Sequence, residues 1–253
     1  MTREERMQLA HTPPAWMYEF DLGDGILTPL LSEELRRIHR TRRDMILPAL
    51  ERSFPEGLAG LDCLDVACNE GYFSFLIHSR GARVRGIDVR PLNIERARAV
   101  QRIQGQDPAR LAFAVEDFLA NQDPPNRYHL TFFLGLLYHL ENPMGALRIL
   151  HRITRGMCVV ETQLTRQQAP VVSGWGATGR FLELPAALAI YREPDVEENR
   201  LAAHRGLSFI PNAAAVREML SAAGFSKVEP VAPPADANPQ YLAGDRAVFL
   251  AFK

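Results

Sequence analysis

From residue 60 onward, short apolar runs alternate with segments whose apolar positions recur every three or four residues. The runs "LDCLDVA" (61–67), "RVRGIDV" (83–89), "RLAFAVED" (110–117), "YHLTFFLGLL" (128–137) and "GMCVVET" (156–162) have the length of buried strands. Between them lie helical patterns: "YFSFLIHSR" with Gly81 as its stop, "PLNIERARAVQRI" with Pro91 in its first turn, and "MGALRILHRI" opened by Asn142 and Pro143. Further on, Asn212 caps "AAAVREMLSAAG", Gly224 ends it, and "FSKVEPV" and "RAVFLAF" follow. This rhythm predicts an α/β fold with a mostly parallel sheet and helices on both faces. The Pro-rich stretch 230–239 is too short for a helical crossover, so the last two strands should form a terminal antiparallel hairpin.

Two segments fall outside the rhythm. Residues 1–58 form an N-terminal helical or cap segment, with "SEELRRIHRTRRDMILPALERSF" as a helix that sets Leu35, Ile38, Met45 and Ala49 on one face and is kinked at Pro48. The main domain is 59–253, and 163–210 interrupts it with "SGWGATGRF" and a short helix over "LPAALAIY". An insertion after the C-terminal end of a strand lies over the ligand crevice of an open sheet, which makes 163–210 a lid or substrate wall, or else a peripheral decoration. Charge changes the picture more than composition does. A formal net charge of −1 offers no overall basic surplus for a phosphate backbone. The run Arg36, Arg37, His39, Arg40, Arg42, Arg43 is the local exception, read first as a solvated helix face and second as an RNA contact. Cys63, Cys68 and Cys158 have neither CxxC spacing nor a His at ligand spacing, so reduced thiols, no metal and a cytoplasmic location are expected. The start of the chain lacks a signal-peptide core, no apolar run is long enough for a bilayer, and the pattern does not speak to oligomeric state.

Asp65-Val66-Ala67-Cys68-Asn69-Glu70-Gly71 resembles the D-x-G-x-G-x-G loop of class I S-adenosylmethionine-dependent methyltransferases. "GIDVR" with Asp88, "VEDF" with Asp117 and Phe118, and "FFLGLLYHLENP" follow in the family's order, so the resemblance covers 60–253. It implies a Rossmann-like seven-stranded sheet and S-adenosylmethionine as cofactor. A closer resemblance, carried by "LGLLYHLENP", "VVETQ", "LSFIPNAAAVREMLSAAGF" and "DRAVFLAF", is to the tRNA wobble-uridine carboxymethyltransferase branch, which uses a carboxylated cofactor. In that branch a lysine, a tyrosine and an arginine hold the extra carboxylate. Tyr138 and Arg246 match the last two, but "YEFDLGDGILTP" (18–29) offers Glu19, Asp21 and Asp24 and no lysine. Those acids would repel a carboxylate, so ordinary S-adenosylmethionine and methyl transfer are expected.

Within this resemblance each position has a physical role. Ala67 is the smallest replacement for a loop glycine and suits a negative φ, Asn69 tolerates left-handed geometry, and Gly71 keeps the closest helix–strand approach. A dinucleotide loop would need glycine where Tyr72 stands, which disfavours NAD. Asp65 receives the cofactor ammonium, directly or through water; Asp88 accepts the ribose hydroxyls, or else caps a helix. Asp117 accepts from the adenine amino group while Phe118 packs on the ring, the alternative being a polar turn. For the transfer itself, His139 is the candidate base, Tyr138 orients the acceptor, and Glu161 is a second crevice-facing acid, with structural roles as the alternative. Trp16, Tyr18, Trp175 and Tyr191 are candidates for an aromatic wall against a planar acceptor, with core packing as the alternative, and His204 and Arg205 are read first as a solvated turn and second as a substrate contact. The expected function is methyl transfer to oxygen, nitrogen or sulfur of a small molecule. The alternatives are a tRNA wobble-uridine modifier and a non-catalytic cofactor-binding regulator.

Overall fold

The computed structural model describes residues 1–168, 185–192 and 207–253. Its centre is a seven-stranded sheet of β1 (Asp62–Val66), β2 (Arg83–Asp88), β3 (Leu111–Val115), β4 (Tyr128–Leu134), β5 (Thr154–Gln163), β8 (Lys227–Val231) and β9 (Arg246–Phe252). The strand order is β3-β2-β1-β4-β5-β9-β8. β1 to β5 pair in parallel, and β9 lies antiparallel to both β5 and β8, as the alternating pattern and the short Pro-rich link require. Strand period 2 sends successive residues to opposite faces. Cys63, Phe132, Val159 and Leu250 therefore join one core, and Leu64, Phe133, Val160 and Phe249 the other.

Helices α3 (Tyr72–His78), α4 (Pro91–Ile103), α5 (Pro143–Ile153) and α6 (Ala213–Ala223) cover the sheet. The two predicted asparagine caps form: Asn142 accepts from the Gly145 N–H and Asn212 from the Ala215 N–H, while Gly224 ends α6 at φ +118°. β4 stops at Leu134, earlier than the apolar run, because Gly135 turns the chain at φ +71° into a 3₁₀ turn over Leu137–His139.

The N-terminal segment contributes α1 (Arg3–His11), closed by a Thr2–Glu5 capping box, and α2 (Glu33–Ser53), which runs unbroken through Pro48. Ile38, Met45, Ile46 and Ala49 of α2 join the core on the Cys63 face. Two elements differ from the sequence reading. The stretch read as a short helix at "LPAALAIY" is instead strand β6 (Leu188–Arg192), paired antiparallel with β7 (Leu207–Pro211). Ile190 and Tyr191 are strand formers, and a partner strand supplies the hydrogen bonds that an isolated two-turn helix lacks. The Pro-rich link also holds a one-turn helix, α7 (Pro239–Leu242), whose Tyr241 is buried. The three cysteines are buried and unpaired. Among the described residues no helix is long and apolar enough to cross a membrane.

Candidate functional site

The strand order reverses at β1, between β2 and β4, and an open α/β sheet places its ligand crevice at such a point. A cavity of about 300 Å³ opens there, walled by the loop after β1, the ends of β2 and β3, the turn after β4, and α2.

The loop after β1 is more strained than its sequence suggests. Ala67 takes φ +53°, not the negative φ its identity suits, and Asn69 takes φ +52° as expected. Three left-handed residues, with Gly71 at +88°, fold five residues back between β1 and α3. That geometry overrides the preference of Ala67, and strain of this kind collects at ligand-binding loops. A Cβ on Gly71 would sit 2.7 Å from the Phe113 ring, so the helix–strand approach admits only glycine. Asp88 reaches across from β2: its Oδ2 accepts the Asn69 N–H at 2.9 Å, and its Oδ1 accepts the Arg90 N–H at 2.9 Å and the Asn93 side chain at 3.3 Å. Asp88 thus pins the loop and holds the chain entering α4 while still lining the cavity, whereas α4, with Arg90 as its N-cap, has no side-chain cap. Asp117 accepts the Leu119 N–H and lines the same end, with Phe118 packed on Phe133 beside it.

Asp65 is placed differently from its expected role. It lies beneath the loop, 3% exposed and outside the cavity lining, and accepts a 2.6 Å hydrogen bond from Ser74 Oγ. Burial, with the Asp88 charge adding to it, pushes its carboxyl up to about 7.

At the opposite end, Tyr138 and His139 line the cavity from the 3₁₀ turn, their rings 4.1 Å apart. Beneath them the Glu161 carboxylate is fully buried and does not face the crevice. It takes Arg42 at 2.8 Å, Arg246 at 3.1 Å and the Tyr241 hydroxyl at 2.7 Å. Burial alone would raise its pKa, but the two guanidiniums outweigh that and hold it below the usual carboxylate range. Arg42 and Arg246 themselves line the cavity, and the Arg246 guanidinium lies 5.8 Å from the Tyr138 ring centre. Two cations against one anion leave a surplus positive charge in this wall.

The aromatic wall does not assemble. Tyr18 lines the cavity, stacked on Tyr72 at 5.0 Å and beside His39 at 4.0 Å. Trp16 is fully buried elsewhere, donating to the Ala10 carbonyl under the Arg96 guanidinium. Tyr191 is 48% exposed on β6, outside the lining. Trp175, His204 and Arg205 lie outside the described residues. The three acids expected to repel a carboxylate are also elsewhere: Glu19 pairs with Arg36, Asp24 with Arg6, and exposed Asp21 accepts the Gly23 N–H.

Three residues near the site have roles that the sequence reading did not give them: His39 and Arg42, read as part of a solvated helix face or an RNA contact, are buried, and Glu70 was given no role. Arg42 carried a signal: it stands four residues after Ile38 and three before Met45, on the apolar face of α2, where a charge needs a buried partner. His39 and Arg42 are one turn apart on α2. Glu70 gave no signal; fully buried, it accepts the N–H groups of Met17 and Tyr18 and pairs with Arg96 at 2.7 Å, tying the N-terminal segment to the loop. Among the described residues no cluster of three or more His, Cys, Asp or Glu side chains is arranged to hold a metal ion.

Comparison with known proteins is consistent in direction. The profile of a family described as a methyltransferase domain matches residues 37–229. A tRNA U34 carboxymethyltransferase of Methylococcus capsulatus is 31% identical over 172 residues, 66% of this chain and 45% of the relative. One from Pseudomonas savastanoi pv. phaseolicola is 30% identical over 68% of this chain and 47% of the relative. The chain therefore spans about half the length of the curated relatives it matches. Among solved structures, the N-terminal domain of EvdMO1 with SAH bound superposes with a TM-score of 0.69 at 20% identity, covering 100% of this chain and 97% of that one. The magnesium protoporphyrin IX methyltransferase of Synechocystis with bound SAM gives 0.56 at 14% identity, covering 100% and 91%. At these identities the likeness is one of fold.

Proposed function

The chain belongs to the methyltransferase-domain family, and from that premise we propose that it moves a methyl group from S-adenosylmethionine to oxygen, nitrogen or sulfur of a small-molecule acceptor held between α2 and the sheet. One observation favours a small acceptor over a nucleic acid. Four of the six arginines of α2 pair with acids of the protein: Arg42 with Glu161, Arg36 with Glu19 and Glu33, Arg40 with Asp236 and Arg43 with Asp44, which leaves the exposed Arg37 and Arg52. A surface that grips phosphates needs such charges free.

The residues present fit the cofactor. Asp88, Asp117 and Phe118 at one end of the cavity suit a nucleoside, and Ala67, Asn69 and Gly135 leave its centre open to an amino-acid chain. Bound, S-adenosylmethionine supplies an electrophilic methyl group on a sulfonium. His139 lines the end opposite the nucleoside residues, where a base removes a proton from the acceptor, and Tyr138 beside it orients that acceptor. Holding the acceptor in near-attack geometry contributes roughly 7–11 kcal/mol in favourable cases.

A second reading, carboxymethyl transfer, is named for the curated relatives, and the surplus cation formed by Arg42 and Arg246 around Glu161 favours it. The two readings separate in one experiment. The protein is incubated with methyl-labelled S-adenosylmethionine and, in parallel, a small-molecule extract and an RNA pool from the source cells. Label in the small-molecule fraction, with plain S-adenosylmethionine or its demethylated product retained on purification, is the expected result. Label confined to RNA, or a carboxylated cofactor seen by mass spectrometry in the purified protein, overturns it.

A further inference from the structure

The crevice takes the C-terminal ends of the parallel strands, and the opposite edge of the sheet carries chemistry that methyl transfer does not use. β1, β2, β4 and β5 begin there, at Asp62, Arg83, Tyr128 and Thr154. The pairing of β4 with β5 is interrupted at this edge. Tyr128 faces Thr154 and Leu130 faces Met157, so Arg155 and Gly156 together oppose His129. A bulge of this kind re-aims the side chains beside it. The close approach depends on Gly156, where a Cβ would stand 2.8 Å from the His129 carbonyl oxygen. It brings Arg155 Nη1 to 3.3 Å from His129 Nε2.

That contact joins two donors. The other ring nitrogen, Nδ1, lies 3.1 Å from the Asp62 backbone nitrogen. A backbone N–H only donates, so Nδ1 is the bare nitrogen and Nε2 carries the proton. A guanidinium only donates as well, so Nε2–H and Arg155 meet with no hydrogen bond between them. Arg155 is exposed and His129 half-buried, so an entering group reaches both. Among the described residues no carboxylate pairs with Arg155. Beside them Arg83 and Arg127 share the Asp62 carboxylate, at 2.8 and 3.3 Å. Asp123, on the link into β4, is taken up by Arg85 and the Tyr128 hydroxyl. Three guanidiniums and an imidazole N–H thus stand against the one carboxylate of Asp62.

We infer that this edge is a binding site for a doubly charged phosphate group, held by Arg155 and His129 Nε2–H with Arg127 beside them. Three cations less one anion leave two positive charges, and a phosphate monoester carries about −1.5 to −2 at pH 7. A carboxylate would answer only half of that surplus. Phosphate also presents three oxygens to donors arriving from different strands, and the planar fork of arginine matches two of them at once. None of these residues lines the cavity, so the site is separate from that of methyl transfer and does not depend on it.

Phosphate is titrated into ¹⁵N-histidine-labelled protein at neutral pH, exchanged for chloride at constant ionic strength. The His129 signals are identified by their loss in His129→Asn. Nδ1 should be the unprotonated nitrogen at the outset, and the Nε2–H resonance should shift saturably with phosphate. His129→Asn sets an amide oxygen near Nδ1 and keeps the Asp62 contact, but removes the Nε2 donor. His129→Gln sets an amide near Nε2 and gives up the Asp62 contact. Read from the broadening of the ³¹P signal of inorganic phosphate, His129→Asn and Arg155→Gln should each lose roughly tenfold or more in affinity, and His129→Gln less. Affinity for S-adenosylhomocysteine should be unchanged in all three. A shift that chloride reproduces overturns the assignment, as does a proton found on Nδ1. So does an Arg155→Gln protein that binds phosphate as wild type does. The reverse order of the histidine variants, with His129→Gln impaired and His129→Asn normal, gives the ring to its Asp62 contact and also overturns it. Displacement of inorganic phosphate identifies the source of the group. A nucleoside 5′-monophosphate that binds more tightly places the group on a small molecule, and one that binds equally or less tightly identifies the free ion. An RNA strand without terminal phosphates that displaces phosphate, with affinity falling steeply with salt, would lay a singly charged diester backbone on this edge and overturn the assignment.

Discussion

At the scale of single residues, two buried groups set opposing pH dependences. Asp65 has its carboxyl raised to about 7 in the folded protein from an ordinary value near 4. The native state therefore holds this proton more tightly than the unfolded chain does. Its contribution to stability is complete below about pH 4 and is lost as pH rises through about 7, at about 1.4 kcal/mol per pH unit within that window. His39, lowered to about 3, works the other way, since its contribution is lost as pH falls below the ordinary imidazole range. The difference between wild type and Asp65→Asn isolates the first effect. Denaturant midpoints measured at pH 5 and pH 8 should show the variant gaining on wild type by a few kcal/mol at the higher pH. An equal gap at both values would show that Asp65 stays ionised in the native protein. The neighbouring loop shows how far residue identities reveal geometry. Gly71 was readable, because only glycine allows the 2.7 Å approach to Phe113 at positive φ. Ala67 was not, since its positive φ comes from the tight return of the loop and not from its own preference.

At the scale of elements, the strands and helices of the sheet were readable because periodicity and end signals agree. Asn142 and Asn212 cap where the patterns start, and Gly224 stops where one ends. The "LPAALAIY" segment was misread because its hydrogen-bond partner, β7, lies beyond a long stretch of sequence. The destinations of the α2 side chains were hidden for the same reason: Arg42 meets Glu161, Arg40 meets Asp236, and Thr41 accepts the Asn238 N–H. Helical spacing reveals which residues share a face, and tertiary packing decides what the face meets. The join between the N-terminal segment and the sheet depends on Glu70, which accepts two backbone N–H groups and an arginine at once. Glu70→Gln keeps one acceptor oxygen and should weaken the join without removing it, whereas Glu70→Ala leaves Arg96 buried without its anion and should cost about 3–5 kcal/mol. Amide exchange is the measurement. Met17 and Tyr18 should exchange faster in Glu70→Gln while the amides of β1 and β4 keep their protection. Unchanged protection at residues 17 and 18 would mean that other contacts hold the segment.

At the scale of the whole molecule, the charge on the chain and its arrangement bear on the same question. A formal net charge of −1 creates no long-range attraction for a polyanion. The arrangement reinforces this, because many of the basic side chains answer acids on the same chain: Arg83 and Arg127 meet Asp62, Arg85 meets Glu116 and Asp123, and Arg166 meets Asp245. A nucleic-acid substrate gripped through six to ten phosphates loses about 10³- to 10⁵-fold in affinity between 50 and 200 mM salt, because each contact releases a condensed counterion. A small acceptor bound without phosphate contacts releases almost none, and the buried pairs around Glu161 are shielded from bulk ions. Rates of label transfer at limiting acceptor should therefore fall by less than about threefold over that range of salt. The measurement needs no knowledge of the acceptor, only the same extract at several ionic strengths. A loss of a hundredfold or more, with cofactor affinity unchanged, would place a phosphate backbone at the site and return the arginines of α2 to the role of an RNA contact.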